Sequence, residues 1–292
     1  MDQAAIGYTA AFLAGVFFGL SDVLVRAASL KLTPLQNLHI SLIVGTPILW
    51  IAAIAAGGSP PSTEGLALYA LAGVLNFVLG RLVFYTAISY AGAAAAAIAT
   101  SPTTVFAALL GWVFLGETLG PEDIAGITLV LLAIYLTYNK PSGEALHGGH
   151  GSTGVLLGVI SAFIFALSTL VVRKASGYIG SDPLYGAAIS YTTALPLVAL
   201  YNRSLTPWRG LDRRHLGYMA VAAIVVSLAQ ISRYLSLSLV EIVDASILMA
   251  LFPIHTLLFT RLLPGELEEK PTAVHGVAAA LAFTGITLVI LY

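Results

Sequence analysis

Long apolar runs separated by short polar turns dominate the sequence. They lie at residues 6–26, 36–57, 65–89, 92–115, 121–138, 154–173, 183–201, 215–238, 242–263 and 272–291. Each run is close to the length of about 20 residues that an α-helix needs to cross a bilayer. The runs are continuous rather than alternating, which favours helices over the strands of a barrel. The sequence therefore predicts an all-α polytopic membrane protein with ten transmembrane helices.

The composition excludes several classes of protein. Hydrophobic residues make up 58% of the 292 positions and charged residues 9%, with a mean hydropathy of +0.93. An ordinary soluble domain carries about 25% charged residues, so a water-soluble fold of this chain would expose too much apolar surface. The net charge of −1 provides no basic surface for nucleic acid. Because the chain has no Cys, disulfides, thiolate metal sites and cysteine nucleophiles are excluded. The first apolar run is long and lacks a basic leader, so it is predicted to be a retained span.

The sequence also contains an internal repeat. Residues 20–29 (LSDVLVRAAS) match residues 167–176 (LSTLVVRKAS), and Pro102 with the Gly-Glu turn after it matches Pro253 with its own Gly-Glu turn. The polar, Gly-rich stretch between the two copies is typical of a linker. The predicted division is therefore a first repeat at 1–138, a linker at 139–152 and a second repeat at 153–292. Since five spans per repeat is an odd number, the repeats are expected to be inverted, as in many secondary transporters, around a central cavity at the midplane.

The order and duplication of these motifs resemble the drug/metabolite transporter (DMT) superfamily, and within it the ten-helix EamA-type transporters. The resemblance covers essentially the whole chain and is strongest over residues 84–138, with the small-residue helix at 91–102 and the Leu-Gly-Glu turn at 115–117. The second repeat departs from the pattern only by Pro264 in place of that leucine. The resemblance implies export or exchange of small metabolites, often amino acids, by alternating access without ATP.

No motif for enzymatic chemistry accompanies this pattern. The sequence has no Walker A loop, no His-Glu-x-x-His and no Gly-x-Ser-x-Gly. The expectation is a transporter of the cell (inner or plasma) membrane, without enzymatic activity, cofactor or metal site. Its expected partners are a small-molecule substrate and the lipid bilayer, with no nucleic acid, and its oligomeric state is left open. A nucleotide-sugar or sugar-phosphate exchanger stays open as an alternative, and so does a lipid scramblase or passive channel.

Four ionisable residues stand out at membrane depth within the apolar runs, where charges are costly and face a cavity or a partner. They are Asp22, Arg81, Arg233 and Asp244. Asp22 and Arg81 are expected at similar depth on one side of the midplane. Arg233 and Asp244, which flank the turn between spans eight and nine, are expected on the other side. Each pair either closes a gate or only neutralises itself within the helix bundle.

Polar and aromatic residues accompany these charges at helical spacing. Such a set offers Arg for a carboxylate, Asp or hydroxyls for an ammonium group, and aromatic faces for an apolar body. The predicted substrate-binding residues of the cavity are Asn76, Arg81, Tyr85, Gln230, Arg233, Tyr234, Ser21 and Ser168. The matching prolines of spans four and nine, Pro102 and Pro253, are predicted hinges. A proline within a helix more often produces only a static kink.

The basic residues give conflicting indications of membrane sidedness. Only Arg173 and Lys174 fall on the face that carries both termini, whereas the opposite face is assigned Arg26, Lys31, Lys140, Arg203, Arg209, Arg213, Arg214, Arg261 and Lys270. The positive-inside rule then makes that opposite face, with its loop at 202–211, cytoplasmic. The family resemblance implies cytoplasmic termini instead.

Overall fold

The structure is a computed structural model. It describes residues 3–103, 105–106, 109–110, 113, 120–140, 150–176, 182–203, 208–240, 248–263, 267, 269 and 271–291. Helices account for nearly all of these residues, and no strand occurs among them.

The helices follow the predicted apolar runs. Their bounds are α1 Gln3–Ser29, α2 Pro34–Ala55, α3 Thr63–Ala91, α4 Ala93–Thr100, α5 Pro121–Asn139, α6 Gly151–Ser176, α7 Pro183–Asn202, α8 Arg213–Leu239, α9 Phe252–Leu262 and α10 Ala273–Leu291. Seven of them, α1 to α3 and α5 to α8, are long and apolar enough to cross a membrane, and α10 contains a shorter apolar stretch. Spans four and nine lie only partly within the described residues, so the count of ten spans stays a prediction.

Local sequence signals set several helix starts. Thr33 and Gln36 form a reciprocal capping box at the start of α2, whose first residue is a proline. Asp182 accepts hydrogen bonds from the first backbone N–H groups of α7, and Asp212 does the same for α8. These caps satisfy donors that the first turn of a helix leaves without a partner.

Two features interrupt the first repeat at places that matter for the site. Within α3, residues Val74–Gly80 form a π-helix, a geometry that is frequent at functional sites. Between α3 and α4 the chain turns at the single residue Gly92, whose φ of +88° favours glycine. The third and fourth spans are thus joined without a loop.

The two halves of the chain pack mainly against each other. The extensive contacts are α1 with α8, α2 with α7, α3 with α6, and α5 with α10, and smaller ones join α1 to α9 and α4 to α6. Exchanging the repeats maps this set onto itself, since α1–α8 corresponds to α6–α3. The interiors of α2 and α7 also carry prolines at matching positions, Pro47 and Pro196.

The close approaches between helices give the relative orientation of the halves. A Cβ at Gly7, near the start of α1, would lie close to Val240 at the end of α8. The equivalent contact brings Gly154, near the start of α6, against Ala91 at the end of α3. The first contact lies on the face that carries the chain termini, called here the terminal face. The second lies on the face that carries Gly92, called here the linker face. The predicted all-α fold of two inverted repeats is confirmed.

Candidate functional site

Arg81 is the central charged residue of the site. It is the first residue after the π-helix of α3 and is buried, with 7% of its surface exposed. Its guanidinium carbon lies 5.3 Å from the ring centroid of Phe77 and 5.9 Å from that of Tyr85. Both distances fall within the range of a cation–π interaction. Arg81 is therefore held between two aromatic rings, one turn before it and one turn after it on the same helix.

Tyr191 of α7 brings the second repeat into the site. Its side chain is fully buried, and its ring centroid lies 4.3 Å from that of Phe77. Its hydroxyl is within electrostatic range of Arg81, Tyr85 and Tyr234. Sequence reasoning missed Tyr191, because a tyrosine within an apolar run carries no local sign of the side on which it packs.

Asp22 is an acidic residue within electrostatic range of Arg81. Its side chain is buried in α1, within electrostatic range of the guanidinium and beside Thr256 of α9. Asp22 and Arg81 form no direct ion pair. The aspartate therefore acts on Arg81 through space, and Nε of the guanidinium has no hydrogen-bond partner among the described residues.

The residues predicted on α8 lie on one stretch of that helix. Gln230 and Tyr234 are buried, and Arg233 is half-buried with its guanidinium carbon 5.8 Å from the Tyr234 ring centroid. Tyr234 is within electrostatic range of Arg233 and of Tyr69 on α3. The predicted partner of Arg233, Asp244, lies outside the described residues.

Several polar atoms of this cluster are buried and have no hydrogen-bond partner among the described residues. They are Oδ2 of Asp22, Nε of Arg81, the hydroxyls of Tyr85 and Tyr191, and Oε1 of Gln230. Buried polar groups in proteins are ordinarily hydrogen-bonded, so a concentration of exceptions requires an explanation. Donors and acceptors of both kinds together can solvate a small zwitterion or carboxylate.

The remaining predicted cavity residues differ in their surroundings. The Ser168 hydroxyl of α6 donates to the Ala72 carbonyl of α3 at 3.2 Å, just before the π-helix. That bond joins the two repeats and satisfies a backbone oxygen beside an irregular turn. Ser21 is buried next to Asp22, and Asn76 is half-buried within the π-helix.

The two predicted hinge prolines lie at helix ends. Pro253 is in the first turn of α9, and Pro102 follows the end of α4 by two residues. A proline in the first turn breaks no internal hydrogen bond, because its missing N–H would have no partner in the helix. Pro253 therefore sits where a helix begins rather than where a continuous helix bends.

A buried ion pair near the linker face was missed entirely. Arg26, assigned to a loop in the charge count, lies within α1 with no exposed surface, so that assignment was wrong. Its Nε is 3.2 Å from Oε1 of Glu269, whose side chain is also fully buried. No spacing in the sequence relates these two residues.

Comparisons with known proteins concern the family and the fold of the whole chain. The model of the EamA-like transporter family matches the chain at residues 5–139 and again at 152–291. The pseudopaline exporter CntI of Pseudomonas aeruginosa strain PAO1 is 24% identical over 233 residues, which cover 79% of this chain and 78% of the exporter. The same exporter from strain UCBPP-PA14 is 24% identical over 200 residues, 68% of each chain.

A solved crystal structure supports the fold. It aligns over 98% of this chain and 96% of its own with a TM-score of 0.64, at 16% sequence identity. At that identity the likeness concerns the fold alone. With both halves matched by the family model, the resemblance noted in the sequence is confirmed: the chain belongs to the EamA-like transporter family of the DMT superfamily and is a multi-pass transporter of the cell inner membrane.

Proposed function

We propose that this protein exports amino acids, or similar small metabolites that carry a carboxylate, by alternating access. The observation that carries the proposal is the buried guanidinium of Arg81, which is flanked by aromatic rings and forms no direct ion pair with any of the residues that the structure describes. A buried cation without a paired anion favours an anionic ligand. Burial removes the stabilisation that hydration gives the cation, and a bound anion restores it.

In the proposed complex, Arg81 binds the substrate carboxylate. A guanidinium presents a planar set of donors that matches the two oxygens of a carboxylate. The hydroxyls of Tyr85 and Tyr191 add donors beside it. Asp22 is the group for a substrate ammonium, and the Phe77 ring provides an apolar wall.

Alternating access follows from where the charges lie in the inverted halves. Arg81 is past the middle of α3 towards the linker face, and Arg233 is past the middle of α8 towards the terminal face. Tyr191 is within electrostatic range of Arg81 and Tyr234, and Tyr234 is within electrostatic range of Arg233. As the two halves rock, a bound carboxylate can therefore move from Arg81 to Arg233.

The composition of the cluster favours a carboxylate over a phosphate ester. Exchange of a sugar phosphate calls for several convergent cations around one dianion. In the described part of the cluster, the two arginines lie on opposite sides of the midplane, and the Asp22 carboxyl group lies within electrostatic range of one of them. The likeness to pseudopaline exporters supports export of a small metabolite in general.

Transport by purified protein in proteoliposomes tests the proposal. A panel of labelled amino acids is supplied with and without a proton gradient, and each hit is compared with its decarboxylated amine. We expect saturable transport of at least one amino acid and none of its amine.

Arg81→Gln should reduce this transport by roughly tenfold to a hundredfold, the cost of losing a hydrogen bond to a charged group. The matched control Arg214→Gln, at an exposed arginine that bonds Tyr218, should transport normally. Equal transport of an amino acid and its decarboxylated amine would contradict the proposal, and so would normal transport by Arg81→Gln.

A further inference from the structure

The ion pair between Arg26 and Glu269 joins three separate parts of the chain at the linker face. The Arg26 Nε donates to the Leu267 carbonyl at 3.1 Å, and Nη1 donates to the Ser89 carbonyl at 3.0 Å. Glu269 and Leu267 precede α10 in the second repeat, whereas Ser89 lies near the end of α3. One arginine of α1 therefore ties the end of α3 to the segment before α10.

Glu269 has a second role, at the start of α4. Its Oε1 accepts a hydrogen bond from the backbone N–H of Ala93 at 2.6 Å, and Oε2 accepts one from Ala94 at 3.5 Å. These donors directly follow the turn at Gly92 and have no partner within their own helix. A carboxylate from the second repeat thus caps a helix of the first repeat, in the place where a negative charge is most favourable.

The energetics of such a pair suit a contact that opens and closes. Burying two charges costs several kcal/mol per ion, and their attraction with additional hydrogen bonds offsets roughly that amount. When water enters, both charges are hydrated again, so separating the pair costs little overall. A buried apolar contact would lose stabilisation in proportion to the area that it exposes. Because its hydrogen bonds join three segments of the chain, the ion pair favours a defined closed arrangement while rehydration of both charges permits opening.

The repeat match preserves one residue of this pair and not the other. The repeat match relates Arg26 to Arg173, but the first-repeat segment corresponding to residues 267–270 is Thr118-Leu119-Gly120, which contains no carboxylate. The terminal face therefore has the equivalent arginine without the equivalent of Glu269.

We propose that the Arg26–Glu269 pair is the lock that holds the linker face closed over the central site. Arg26 follows Asp22 by one helical turn, so the lock and the site lie on neighbouring positions of one face of α1. Separating the pair frees the start of α4 and the end of α3 from the segment before α10. The site then becomes accessible from the linker face.

Cysteine accessibility tests the lock, because the natural chain contains no Cys. The reporter is Ser21→Cys, a buried position beside Asp22. In this background we compare the double variant Arg26→Gln/Glu269→Gln, which removes both charges at once and keeps a side-chain oxygen for Ala93. The control is Asp212→Asn/His215→Gln, at the contact between the exposed Asp212 and the half-buried His215 that begins α8 on the same face.

An impermeant thiol reagent is added separately to each face, using intact cells and inverted vesicles. We expect the double variant to raise labelling from the linker face by at least about tenfold, equivalent to a 1.4 kcal/mol shift towards the open state. The control variant should label at the parent rate.

Glu269→Asp, which keeps both charges on a shorter side chain, should give a smaller rise in labelling. It serves as a second variant if the double variant does not fold. Unchanged labelling in whichever of the two variants folds would overturn the lock. Because labelling requires no substrate, that result would leave the proposed export function to its own transport assay.

Discussion

The rings of Phe77 on α3 and Tyr191 on α7 pack with centroids 4.3 Å apart at an angle of 56°. The same Phe77 ring lies 5.3 Å from the guanidinium carbon of Arg81. The position of the buried cation is therefore supported from both repeats, since one aromatic ring contacts the cation and the other ring braces the first. Any relative movement of α3 and α7 must alter this stack, which links the candidate site mechanically to the relative position of the two halves.

Tyr191→Phe should weaken substrate binding without weakening the fold. The variant keeps the ring against Phe77 and removes a buried hydroxyl that has no partner among the described residues. One lost hydrogen bond of about 1 kcal/mol corresponds to roughly a fivefold rise in KM. Thermal stability should be unchanged or slightly higher, because no satisfied bond is lost. Transport kinetics give the KM, and thermal melting in detergent gives the stability. Tyr201→Phe, at an exposed tyrosine, is the control. An unchanged KM would remove Tyr191 from the site.

Gly45→Ala should disturb the site through the backbone of α2. A Cβ at Gly45 would lie 2.6 Å from Cε1 of Tyr191 and 2.9 Å from the Ser227 hydroxyl oxygen, so the tyrosine ring must move. Overpacking of this kind costs typically about 1–3 kcal/mol. We expect a lower melting temperature together with reduced transport. Gly217→Ala is the matched control, because a Cβ there meets no atom within 4 Å. Equal melting temperatures of the two variants would contradict the close packing.

Asp22→Asn should change transport more than stability. Asp22 makes no direct ion pair with Arg81, so its removal costs less than the roughly 3–5 kcal/mol that follows the breaking of a buried pair. If Asp22 is a gate partner, exchange rates change while the melting temperature is nearly retained. If the residue only neutralises Arg81, stability falls and transport per folded molecule is intact. Asp123→Asn, at a buried aspartate that caps α5, controls for the substitution itself.

The loop at residues 202–211 is predicted to be cytoplasmic. With Arg26 buried in α1, eight basic residues of the original count remain on the linker face, and Arg209 and Arg213 among them are exposed. A single cysteine in place of Ser204 should resist an impermeant thiol reagent in intact cells and react in inverted vesicles. Ready modification in intact cells would instead support cytoplasmic termini, as the family resemblance implies.

Hydrophobic length and repetition fixed most of the architecture in advance. Each span is a local property, because about 20 consecutive apolar residues are stable in a bilayer whatever their neighbours are. An odd number of spans per repeat then forces the inversion. The same local logic identified Asp22 and Arg81, since a charge within an apolar run stands out without knowledge of its partner.

The tertiary structure decided which side chains meet across the repeats. Arg26 and the carbonyl of Leu267 are 241 residues apart in sequence and make contact at 3.1 Å, and no periodicity or composition encodes such a pairing. Tyr191 likewise looks like any other residue of an apolar run until α7 packs against α3. The π-helix before Arg81 depends on similar support, since Ser168 of another helix satisfies the Ala72 carbonyl at its edge. Sequence determined where helices form because that free energy is local, whereas the candidate site and the proposed lock depend on contacts that exist only after the two halves have packed together.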